Sequence, residues 1–72
     1  GTPLIVACIN NEYETVNNLI EMGADVEMKV PVTILNNERE IDYEWKNINA
    51  LELMVTLENK DMIELLLKNG AN

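Results

Sequence analysis

Two stretches of the chain place apolar residues at helical spacing, and the stretch between them places them at every second position. In the first stretch Leu4, Ala7 and Cys8 recur at intervals of three and four, which puts them on one side of a short helix. Thr2 offers a side-chain oxygen to the orphan amides of that helix, and Pro3 suits its first position because its missing N–H has no partner to lose. Asn10 and Asn11 tolerate the left-handed conformation that ends it. A second helix over Tyr13 to Met22 puts Tyr13, Val16, Leu19 and Ile20 on one stripe, with Glu14, Asn17, Asn18 and Glu21 opposite. Gly23 provides the positive-φ stop. The pattern predicts a helix, a tight turn, an antiparallel helix and a glycine exit.

The chain then repeats this plan. A shift of 47 positions lays Thr2 to Asp25 over Asn49 to Asn72 without a gap. Leu4 falls on Leu51, Val6 on Leu53, Val16 on Ile63, Leu19 on Leu66, Ile20 on Leu67, Gly23 on Gly70 and Ala24 on Ala71. Few of the aligned residues are identical, so the duplication lies in the order of apolar and turn positions. Asn49 takes the capping place of Thr2, and Ala50 replaces the proline. Met54 and Val55 are bulkier than Ala7 and Cys8, which predicts a slightly wider second pair. Across the two copies, Leu19, Ile20, Leu66 and Leu67 are expected on back-to-back helices that shelter one another.

Thr2-Pro3-Leu4-Ile5-Val6-Ala7 resembles the T-P-L-H-x-A signature of the ankyrin repeat, and "NNLIEMGAD" and "ELLLKNGAN" resemble the end of its second helix. The resemblance implies an all-α repeat fold, an ankyrin-type helix-turn-helix solenoid fragment. Residues 1–29 would be one repeat, 49–72 a second cut short at its end, and 30–48 an extended β-hairpin-like finger between them. Two features depart from the family. Its histidine is replaced by Ile5 and Glu52, which removes a polar tie between neighbouring loops. The period of 47 exceeds the usual ~33 residues by about 14.

The extra residues fall where the rhythm changes. Ile41, Tyr43 and Trp45 alternate with Asp42, Glu44 and Lys46, as in a half-buried strand. A loop over Asn36 to Arg39 would set Ile34 opposite Ile41, Val32 opposite Tyr43 and Val30 opposite Trp45, so that all apolar partners share a face. A two-residue Asn-Asn turn would leave Trp45 unmatched. Tyr43 and Trp45 are residue types that dominate binding hot spots, but the larger weight falls on their covering the finger's own apolar face or packing on the helices beneath it.

Composition narrows the chemistry. A chain of 72 residues is one small domain that buries roughly 60% of its unfolded surface, so its core is marginal. Thirteen acidic against five basic residues give a net charge of −8, which speaks against nucleic acid and for a protein partner with a basic patch. Histidine is absent, and with it the commonest general base and neutral metal ligand. Glu38, Glu40, Asp42 and Glu44 lack the spacing of a calcium loop, and acids alternating on a strand face water. Cys8, the single cysteine, reads as a small core residue of a protein kept in reducing space, hence a cytoplasmic location. The run "LIVACI" is too short to span a membrane. No cofactor and no metal are expected.

These features point to a non-catalytic protein–protein interaction module. The family resemblance implies contact through the finger tip, at Arg39, and through the ends of the first helices, at Ile9, Asn10, Thr56 and Leu57; Arg39 reads more simply as a solvated loop charge, and Ile9 and Leu57 fit the edge of the stacking core as well. Since about three repeats are usually needed for stability, further repeats are expected in the same chain. A targeting or regulatory domain of a larger enzyme and a spacer within a longer solenoid are the alternative roles.

Overall fold

The computed structural model describes residues 2–36 and 42–72, and the side chains of 2–32 and 47–72. Four helices form two pairs, α1 (Pro3–Ile9) with α2 (Tyr13–Glu21) and α3 (Ala50–Thr56) with α4 (Lys60–Lys68); between the pairs run two strands, β1 (Val30–Asn36) and β2 (Asp42–Ile48). The helices make an all-α repeat fold in which α1 packs on α2, α3 on α4, and α1 on α3.

The same local chemistry starts both first helices. Thr2 Oγ1 accepts from the Ile5 amide at 3.2 Å. Asn49 makes a full capping box, its Oδ1 accepting from the Glu52 amide at 2.9 Å while Glu52 Oε1 accepts from the Asn49 amide at 3.2 Å. Asn59 caps α4 through the Met62 amide at 3.2 Å.

All four helices end in the same way. At each end two amides reach back to the last turn, from Asn11 and Glu12, Gly23 and Ala24, Glu58 and Asn59, and Gly70 and Ala71, at 2.9–3.1 Å. The first residue of each couple is left-handed, with φ of 56° at Asn11, 97° at Gly23, 56° at Glu58 and 90° at Gly70. Asn11, not Asn10, takes the conformation that ends α1. Glycine and asparagine suit that geometry, whereas Glu58 adopts it against the preference of a side chain bearing Cβ.

The core is continuous across the two pairs. Leu4, Ile5, Ala7 and Cys8 of α1 and Val16 of α2 join Leu53 and Met54 of α3 and Met62, Leu65 and Leu66 of α4, with Leu19 and Ile20 partly buried against them. Leu67 departs from the sequence expectation. It lies half exposed on the outer side of α4, while Leu66 beside it is fully buried.

The strands pair antiparallel with Val30 opposite Ile48, Val32 opposite Lys46, Thr33 opposite Trp45 and Leu35 opposite Tyr43. This corrects the register expected from the alternation: Trp45 is three places from the partner of Val30. The fixing point is the end nearest the helices, where Val30 and Ile48 are both buried in the core. Burying that pair outweighs matching the apolar residues farther out. Pro31, which lacks an N–H, is tolerated because each strand of a two-stranded sheet has a free edge.

Candidate functional site

The 47-residue duplication turns into geometry when burial is compared at equivalent positions. Cys8 is 1% exposed and its counterpart Val55 is 56% exposed; Val6 is 49% exposed and its counterpart Leu53 is 8% exposed. The inversion follows from stacking. One side of the first pair is covered by the second pair, and the equivalent side of the second pair is open. The opposite side of the first pair is open in turn, and there Pro3, Leu4, Leu19, Ala24 and Met28, with Thr2 and Asp25, line a mainly apolar cleft of about 190 Å³.

Two polar contacts bind the pairs together at opposite ends of the helices. Asn59 Nδ2 donates to Asn11 Oδ1 at 2.9 Å, joining the two helix-helix turns. The Asn72 amide donates to Glu27 Oε1 at 3.0 Å, joining the segments that follow the two glycine stops. Glu27 is itself oriented by a tight turn in which its amide donates to Asp25 Oδ1 at 2.9 Å. These contacts supply polar ties between two copies that lack the family's histidine. Sequence reasoning missed both, because the residues are 48 and 45 positions apart and nothing local marks them as neighbours.

The residues singled out from the sequence fall into two groups. Ile9 ends α1 and Asn10 follows it; Thr56 ends α3 and Leu57 follows it. All four are exposed, and Ile9 and Leu57 are each more than half so. They are equivalent positions of two helices packed side by side, beside the turns that Asn11 and Asn59 tie. Thr56 Oγ1 donates to the Glu52 carbonyl at 2.9 Å, which occupies its hydroxyl within the helix. Tyr43 and Trp45 belong to β2, which enters α3 at its opposite, N-terminal end. Arg39 lies outside the described residues. The structure thus places Ile9 with Asn10, and Thr56 with Leu57, at the C-terminal ends of two packed helices, and sets β2 at the other end of α3.

The chemistry of the described residues is that of packing. Burial pushes the Cys8 thiol from its ordinary value of 9.0 up to about 11, so at neutral pH it is a protonated, apolar group. Among the described residues no group of three or more histidine, cysteine or acidic side chains is placed to hold a metal ion. None of the described helices is long and apolar enough to cross a membrane.

Residues 1–29 match the family model described as the ankyrin repeat. No curated protein and no solved structure matches the chain. Ankyrin repeats are in general non-catalytic modules for protein–protein interaction. The matched stretch holds the Thr2 cap, the Pro3 start, the Asn11 turn and the Gly23 stop, and it is over these residues that the chain matches an ankyrin repeat.

Proposed function

We propose that the chain is a non-catalytic protein-binding segment of an ankyrin-type solenoid. Residues 1–29 and 49–72 serve as two repeats, and 30–48 as an enlarged hairpin finger between them. The observation that carries this reading is the row formed by Ile9, Asn10, Thr56 and Leu57, in which two large apolar side chains stand exposed on adjacent, equivalent helix ends. Apolar groups held on rigid elements at regular spacing suit the recognition of an extended partner surface. The finger, with Tyr43, Trp45 and Arg39, adds a second point of contact.

The net charge of −8 favours a partner with a basic patch, since complementary potentials speed encounter and fix register. The inverted burial of equivalent positions supports further repeats beside the two pairs, because each exposed apolar side has a counterpart that a neighbouring pair covers. A reduced, buried Cys8 fits a cytoplasmic setting.

The test immobilises the chain and its Ile9→Asp/Leu57→Asp variant and compares the proteins each retains from a cell extract, after circular dichroism shows equal folding. Loss of at least one retained protein in the variant is the expected result. Identical retention by both would overturn the assignment of the row.

A further inference from the structure

The open side of α3–α4 carries more than apolar area. Its apolar part includes Val55 and Leu67, both more than half exposed, whose counterparts in the first pair are the buried Cys8 and the half-buried Ile20. At the turn, Glu58 occupies the place of Asn11, down to the same φ of 56°. In the first pair that place is an acceptor met by the neighbour's Asn59 at 2.9 Å. The surface that continues the stack over α3–α4 therefore brings the residue before its own second helix up to a carboxylate.

The chain's own first pair is the wrong occupant. Stacked head to tail on α3–α4, a second copy would present Glu12 where Asn59 now stands, since Glu12 and Asn59 are 47 positions apart. The amide-amide hydrogen bond would become a contact between two carboxylates, on chains that each carry a charge of −8. Resting on the reading that further repeats flank the two pairs, we propose that the open face of α3–α4 takes another helix pair presenting a cation opposite Glu58, and that it rejects a second copy of this chain. The interface is continuous with the one already formed between α1 and α3, and the charge at its turn selects which unit can follow.

The test extends the full chain after Asn72 with a second copy of residues 26–72, one whole period, and varies the residue that meets Glu58. Three versions are compared by thermal unfolding: the unchanged copy, Asn59→Lys in the copy, and Asn59→Glu in the copy. All three are expected to melt above the unextended chain. The Asn59→Lys version is expected to melt about 4 °C above the Asn59→Glu version at low salt, with the gap closing in 1 M salt. Glu58→Gln in the extended chain removes the gap and separates the pairing from any effect on the helix cap. If no extension raises the midpoint, the reading of further repeats fails. If Lys and Glu versions rise equally, stacking stands and the charge selection is overturned. Sedimentation of the unextended chain is expected to show a monomer; concentration-dependent growth into oligomers would overturn the rejection of a second copy.

Discussion

Leu66 and Leu67 are neighbours in α4, identical in chemistry and opposite in environment, so truncating each in turn isolates the contribution of stacking. Leu66 is fully buried against both pairs, and Leu67 is 52% exposed. Leu66→Ala removes the transfer energy of a buried leucine and leaves a cavity, a loss of about 3 kcal/mol within the usual range of 2 to 5. Leu67→Ala gives up little buried area and gains slightly from alanine's helix propensity, so its cost is about 0.5 kcal/mol or less. A domain this small holds on the order of 5 kcal/mol in all, so the first change removes more than half of its stability. In thermal unfolding followed at 222 nm, Leu66→Ala is expected to lower the midpoint by about 12 to 20 °C and Leu67→Ala by about 3 °C at most. Urea titration checks the same difference with the slope unchanged. Equal losses from the two variants would refute the stacking of α4 as described.

Three further outcomes follow from the caps, the turns and the buried thiol. Asn49→Ala breaks the capping box of α3 at a buried position and is expected to cost about 1 kcal/mol in urea titration, with Asn49→Asp recovering most of it. Glu58→Gly relieves a left-handed residue bearing a side chain and is expected to raise the melting midpoint by about 4 °C, whereas Gly70→Ala, where φ is 90°, lowers it. The Cys8 thiol is raised in the fold, so its contribution to stability is present below about pH 9 and is lost as pH rises toward about 11. Urea midpoints are therefore expected to fall more steeply between those values in the native chain than in Cys8→Ala, and parallel profiles would refute the assignment.

The helix pairs were legible in the sequence because each boundary is written in local chemistry. Thr2-Pro3 and Asn49 mark starts, Gly23 and Gly70 mark stops, and the 47-residue shift shows the same plan twice. Glu58 was not evident as a turn residue from its own type and shows itself only as the counterpart of Asn11. The strand register failed for a nonlocal reason: Ile41, Tyr43 and Trp45 invited a match by apolar alternation, whereas the anchor is Val30 against Ile48 at the core. Leu67 failed likewise, since spacing along a helix shows which residues share a stripe and not which edge of the stripe a neighbour covers. The ends of the first helices were placed from the family pattern, and the structure adds that Ile9 and Leu57 are both exposed beside a tie between Asn11 and Asn59.

The most direct test of the account compares thiol accessibility at equivalent positions, using native Cys8 and a Val55→Cys variant in a Cys8→Ala background. Under native conditions the thiol at position 55 is expected to be alkylated at nearly the rate of a free cysteine, and Cys8 at least about a hundredfold more slowly, through rare opening of the stack. Equal rates at the two positions would contradict the claim that the second helix pair covers the first and leaves its own equivalent face open.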